Sequence, residues 1–339
     1  MKNLPTKTRA VVLPEYNGNL IRAIIGLKVE EREIPALADD EVLIKMEAAP
    51  CNPSDIAFIR GGYNIKKSLP AVPGFEGAGL VIHAGKLASR LLKKKVSSFV
   101  QEDRDGTWAE YFVAKARDCI ELKDGLDFEQ GACFSINPFT AYGLVEFAEA
   151  VRAPAIVQNA AGGQVAEFVR KFAELKGIQV INIVRKEDHI DELIEKGAKY
   201  VLNSTDDNFL ENLTSAIAKL DATVAIDAVG GEATAGLLNA MPAGSATILY
   251  GALSGTTLNN INSFDVIFKE NSLLGFNLNN WVKSKDPDEF AAISEEIQNL
   301  IITGKMQTKI QGSFPLDDIV NGIRAYIKSL SEGKVLFKP

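Results

Sequence analysis

An apolar run, Ala155-Ile156-Val157, breaks into Asn159-Ala160-Ala161-Gly162-Gly163-Gln164-Val165 and then into a stretch with an apolar face. Residues of this kind bind nucleotide phosphates. Small side chains after a strand let the backbone approach a pyrophosphate, and the N–H groups and dipole at the start of the next helix supply a positive field. The pattern is Ala160-x-x-Gly163-x-x-Ala166 rather than Gly-x-Gly-x-x-Gly, so taken alone it also fits an ordinary strand–helix turn. The discriminating residues stand about 20 positions on, where an NAD-type fold carries an acidic side chain for the ribose 2′-hydroxyl. Here they are Arg185 and Lys186. A guanidinium and an ammonium suit a 2′-phosphate, so NADP(H) is expected over NAD(H). The competing reading is a pair of solvated loop cations diluted by Glu187 and Asp188.

The elements that must position this turn are legible in the same stretch. Val165, Phe168, Val169 and Phe172 fall at i, i+3, i+4 and i+7 and form one helical face that ends at Gly177. Val180 to Val184 then supplies a parallel strand, which completes a strand–helix–strand unit. From 126 to 280 the alternation continues. Strands are expected at Tyr200–Leu202, Ala222–Asp227, Ala246–Tyr250 and Leu273–Leu278, with helices at Asp207–Lys219 and Glu232–Ala240. This implies an α/β fold with a doubly wound parallel sheet and ligand at the carboxyl ends of its strands. Residues 1–125 read instead as short strands between Gly and Pro turns: Arg9–Leu13, Glu41–Ala48, Gly79–His83 and Trp108–Val113. Residues 281–339 hold two helices, Asp288–Thr303 and Leu316–Ser331, and a strand Lys334–Phe337. That tail is too short to stand alone and is expected to complete the first domain.

Composition narrows the function classes. The chain has 339 residues, 46% hydrophobic and 24% charged, with a formal net charge of −7. No apolar run reaches the roughly 20 residues of a membrane span, and no long basic run suits nucleic acid, so neither is an expected partner. A small-molecule substrate is expected instead. Three cysteines, Cys51, Cys119 and Cys133, lie far apart with no Cys-x-x-Cys pair, which argues against a disulfide framework or zinc knot and for a reducing compartment, the cytoplasm. The two histidines, His83 and His189, read as a strand-end and a surface residue, and no nucleophile elbow accompanies them.

Further blocks stand in a fixed order around the turn. They are Asn52-Pro53-Ser54-Asp55, Gly61-Gly62-Tyr63, Pro70 to Gly79, Gly106 to Tyr111 and Asn137-Pro138-Phe139-Thr140-Ala141-Tyr142, then Val224 to Gly231, Gly251 to Gly255 and Gly333-Lys334-Val335-Leu336. Over nearly its whole length the chain resembles the medium-chain dehydrogenase/reductase superfamily, specifically its zinc-independent quinone oxidoreductase and 2-enoyl thioester reductase branches. The resemblance implies a GroES-like, β-rich substrate domain with an inserted Rossmann domain. It also implies no metal: Asn52 stands where the zinc enzymes of the superfamily carry a cysteine, and Phe75 where they carry a histidine.

The resemblance also carries roles to single residues. Tyr63 corresponds to the tyrosine that donates to the substrate carbonyl or enolate in enoyl thioester reductases, and Asn52 to a substrate-side amide. A phenol of ordinary pKa about 10 serves better as an oxyanion-stabilising donor than as an acid. Thr140, Tyr250, Gly251, Phe276, Leu278 and Lys334 correspond to cofactor-side positions, Lys334 with a plain surface cation as its alternative. Arg60, Lys66 and Lys67, which flank Tyr63, could meet the phosphates of a coenzyme A or carrier arm, or be ordinary loop cations. Three functions remain open: an NADPH-dependent reductase of quinones or enones, an enoyl-CoA or acyl-carrier reductase, and an NADPH-binding protein without turnover. A homodimer paired through the strand at Leu273–Leu278 is expected, because pairing covers an exposed sheet edge.

Overall fold

Residues 4–101 and 104–339 are described by the computed structural model. Two units emerge, one made of 1–136 with 291–339 and the other of 137–290. In the first, β1 (Lys7–Val12) pairs antiparallel with β2 (Lys28–Glu33). β3 (Glu41–Pro50) carries buried side chains on both faces, because it lies inside the sheet between β4 (Glu76–Ala84) and β6 (Tyr111–Lys115). β5 (Lys95–Phe99) joins β4, and β7 (Cys119–Glu121) joins β5.

The second unit contains β8 (Ala155–Gln158), β9 (Gln179–Val184), β10 (Tyr200–Asn203), β11 (Ala222–Asp227), β12 (Ala246–Leu249) and β13 (Ser272–Gly275). All pairs are parallel, in the order β10-β9-β8-β11-β12-β13. The order reverses at β8, and this switch point is where open α/β sheets bind ligand. The expected helices form at Gln164–Leu175, Phe209–Leu220 and Glu232–Ala240. The last strand is shorter than expected. It ends at Gly275, because the Asn277 side chain accepts from the Asn280 N–H and caps a helix over Leu278–Ser284.

The chain then returns to the first unit through a helix at Pro287–Ile302, β14 (Ile310–Pro315) and β15 (Lys334–Lys338). β15 pairs with β3 through Leu336 and Phe337, so the sheet reads β14-β15-β3-β4-β5-β7. Phe337 and Trp108 are fully buried, with ring centroids 4.9 Å apart. Such an aromatic pair adds about 1 kcal/mol to its area burial. The units divide at 136/137 and 290/291, later in the chain than the expected 125/126 and 280/281. The short helix Phe128–Ala132 packs on β3 and β4 and so stays with the first unit.

Candidate functional site

The nucleotide turn is built between β8 and the helix Gln164–Leu175. Ala160 takes a left-handed conformation, φ 48°, which turns the chain sharply off the strand. Gly163 is the N-cap residue and supplies no side chain to close the helix start. At Gly162 a side chain would meet only the His189 ring, at 3.4 Å. The turn thus offers bare backbone at a helix N-terminus, which fits a pyrophosphate. Gln164 and Val165 open the helix, and Ala161 is buried. Arg170 was not foreseen. Its Nη1 donates to the Ala161 carbonyl at 2.7 Å and to Asn182 Oδ1 at 3.3 Å, gripping the turn from the helix behind it. Arg185 and Lys186 follow the last residue of β9 and are exposed.

At the other strand ends, Tyr250 and Gly251 follow β12, and the Tyr250 N–H donates to the Asp227 carbonyl at 2.9 Å. Gly251 must be glycine, since a Cβ there would lie 2.6 Å from the Ala228 carbonyl oxygen. Phe276 packs its ring against Gly143 in the helix Asn137–Ala150, which also carries buried Thr140. Leu278 starts a helix rather than ending a strand. Asp227 organises this region. Its carboxylate accepts from Val229 N–H at 2.7 Å, Gly230 N–H at 3.1 Å, the Thr234 hydroxyl and the Asn159 amide. A carboxylate closing an apolar strand ahead of Gly230-Gly231 was the signal available for it.

In the first unit, Asn52 precedes the helix Pro53–Ile59, and Tyr63 follows it after the Arg60-Gly61-Gly62 turn. Tyr63 is half-buried, its ring 5.2 Å from that of Phe75, and its hydroxyl is hydrogen-bonded to Gln101. Burial pushes the phenol pKa up and the nearby Asp55 charge adds to this, while the Gln101 bond opposes it. Tyr63 is therefore a protonated donor at neutral pH. Asn52 is buried, and both ends of its amide are occupied: Nδ2 donates to Glu76 Oε2 at 3.1 Å, and Oδ1 accepts from the Lys334 ammonium. Lys334 is thus not a surface cation; it is 5% exposed and belongs to the buried network around Asn52.

Of the loop cations considered for a carrier arm, Arg60 and Lys66 are exposed and Lys67 is buried. Lys66 donates to the Gly61 carbonyl, Arg60 to Gly18 O at 3.2 Å, and Lys67 is buried over the Phe58 and Phe75 rings at 5.7 and 5.4 Å. Phe75 is itself in the core, so the position offers a metal no donor. Among the described residues no group of three or more His, Cys, Asp or Glu side chains could hold a metal ion.

Comparison with known proteins covers both units. Residues 38–124 match the family model for the alcohol dehydrogenase GroES-like domain, and residues 165–299 match that of the zinc-binding dehydrogenases. The chain is 30% identical over 331 residues to the mitochondrial enoyl-[acyl-carrier-protein] reductase of Rattus norvegicus, covering 96% of this chain and 87% of the relative. A crystal structure of a candidate NADPH:quinone reductase from Mesorhizobium loti superposes with a TM-score of 0.92 at 28% identity, over 99% of this chain and 100% of that one. A candidate NADPH:quinone reductase from Bacillus thuringiensis gives a TM-score of 0.86 at 25% identity with the same coverage. A strand order reversing at a phosphate-ready turn, a GroES-like first unit and near-full-length similarity converge: the chain belongs to the medium-chain dehydrogenase/reductase superfamily, in the branch of its enoyl and quinone reductases, and is a nicotinamide-dinucleotide-dependent oxidoreductase.

Proposed function

We propose that the protein is a zinc-independent, NADPH-dependent reductase that transfers hydride to a quinone or to the activated C=C of an enone. The observation that carries the reading is Tyr63, a phenol held by Gln101 on the Phe75 ring and kept protonated by its surroundings. NADPH, when bound, supplies the hydride. Ala160 to Val165 would hold its pyrophosphate, Arg185 and Lys186 its 2′-phosphate, and Thr140, Tyr250, Gly251, Phe276 and Leu278 its nicotinamide half. As a C–H bond forms at the β-carbon, negative charge moves to the conjugated carbonyl oxygen, where the Tyr63 hydroxyl donates a hydrogen bond. A proton then adds at the α-carbon of an enone or at oxygen of a quinone, which completes a two-electron reduction.

The test is loss of NADPH absorbance with a panel of quinones and small enones. Turnover is expected, and Tyr63→Phe should lower kcat on the order of 100-fold, the usual loss for one oxyanion donor. Tight NADPH binding without turnover on any compound would instead leave a binding protein. The second reading, an enoyl thioester reductase, is favoured by the similarity to the rat enoyl-[acyl-carrier-protein] reductase over nearly both chains. Equal rates with a short-chain enoyl-CoA and the matching free enone would remove it.

The three cysteines are buried and free, which supports a reducing compartment, the cytoplasm; among the described residues no helix is long and apolar enough to cross a membrane. A homodimer is supported by β13, an edge strand exposed at every residue, beside exposed Phe264, Ile267 and Phe268.

A further inference from the structure

Among the buried ionisable side chains of the first unit are two carboxylates, Asp55 and Glu76 at 0% exposure, and two ammonium groups, Lys67 and Lys334 at 5%. Buried charges are tolerated only when paired and hydrogen-bonded, so their arrangement is informative. The Lys334 ammonium donates to Asn52 Oδ1, Asn52 Nδ2 donates to Glu76 Oε2 at 3.1 Å, and Glu76 Oε1 accepts the Ile136 N–H at 2.9 Å. An ammonium only donates and a carboxylate only accepts, so these partners fix which end of the amide faces which way. The Asn52 N–H donates to Asp55 Oδ2 at 2.8 Å, the Phe75 N–H donates to Asp55 Oδ1 at 3.0 Å, and the Phe75 ring carries Tyr63. Three separate stretches of chain, β4, β15 and the helix leading to Tyr63, meet at this amide.

We propose that Glu76 and Lys334 are positioning residues for the reduction: they clamp the Asn52 amide in one orientation and, through Asp55 and the Phe75 backbone, seat Tyr63. The inference rests on the reading of Tyr63 as the substrate-side donor. It requires an ionised Glu76, because a protonated carboxyl would turn an O–H toward the Asn52 or Ile136 N–H and lose one of its two bonds. Burial pushes Glu76 up to about 7, against the opposing pull of Lys334, Asn52 and the Ile136 N–H and with help from the Asp55 charge. Asp55 is pushed up to about 6 by burial, against its two backbone N–H bonds, Lys334 and Lys67. The other titratable groups around the network, Cys51, Cys133, Tyr63 and Tyr326, are all pushed up by burial and stay neutral. Glu76 is therefore the group that changes charge as the solution passes neutrality.

The experiment is the pH profile of kcat for an enone or quinone substrate in wild type and Glu76→Gln, with NADPH affinity followed by fluorescence titration. Alongside it, the side-chain amide resonances of Asn52, assigned by their loss in Asn52→Ala, are followed by NMR against pH. Wild-type kcat should fall as pH drops through about 7, and the Asn52 resonances should titrate over the same range. In Glu76→Gln the acid limb and the NMR titration near pH 7 should vanish, leaving only the lower step of Asp55 near 6, kcat should drop about 10- to 100-fold from misplacement, and NADPH affinity should stay within about twofold. A Glu76→Gln enzyme with wild-type kcat and acid limb, or wild-type Asn52 resonances that do not titrate, would overturn the proposal. If wild type reduces no quinone or enone, the functional reading fails while the NMR titration still decides the network. If Glu76→Gln does not fold, Lys334→Met, expected to lose kcat similarly, and the wild-type titration carry the test.

Discussion

Asp55 and Glu76 are closed off from solvent, and burial raises both above their ordinary values, to about 6 and about 7. A carboxyl with a raised folded-state pKa binds its proton more tightly in the folded than in the unfolded chain. Its stabilising contribution is present below about pH 4 and is lost as pH rises through the folded values. Stability and catalysis therefore run in opposite directions across neutrality, since the Asn52 clamp needs the ionised form. Thermal denaturation should show the melting temperature falling by about 5 °C between pH 5 and pH 8, with a flatter profile in Asp55→Asn/Glu76→Gln. A melting temperature that rises over this interval would mean the two carboxyls ionise as freely as solvated ones. Neither carboxylate was singled out from the sequence. Glu76 is separated from Asn52 by 24 positions and from Lys334 by far more, and only the pairing of β15 with β3 brings them together.

The turn after β8 shows what local pattern reveals and what it hides. The helix Gln164–Leu175 was legible because Phe168, Val169 and Phe172 share one face, and these residues are buried. Arg170 lies on the same helix but reaches back to Ala161, a contact no periodicity encodes. β2 was missed because Lys28–Glu33 is nearly all charged and mostly exposed, paired only with β1. The last strand was read too long because Phe276 and Leu278 continue its apolar character, whereas the break comes from the Asn277 cap. The proposed preference for NADPH rests on the end of β9. Arg185→Ala should weaken NADPH binding about 10- to 100-fold, as expected for one charge-assisted bond, and leave NADH within about twofold, both by fluorescence titration. An equal loss for both cofactors would place Arg185 away from the 2′-phosphate.

For the whole molecule, the proposed homodimer rests on β13. Leu273 and Leu274 are 36% and 40% exposed on an edge strand, and Phe268 nearby is 74% exposed. Size-exclusion with light scattering should give twice the chain mass for wild type and a single chain mass for Leu274→Lys/Phe268→Glu with unchanged circular dichroism. A monomeric wild type would end the homodimer reading. The pairing of β15 with β3 has a different reach, because it bears on how the protein is made. All of 137–290 is translated between the two strands, a delay on the order of ten seconds at typical elongation rates. Throughout it, β3 lacks its partner at Ala49 and Pro50, and Trp108 lacks Phe337. The second unit can finish folding while the first waits on the ribosome with an open edge and an unfilled core.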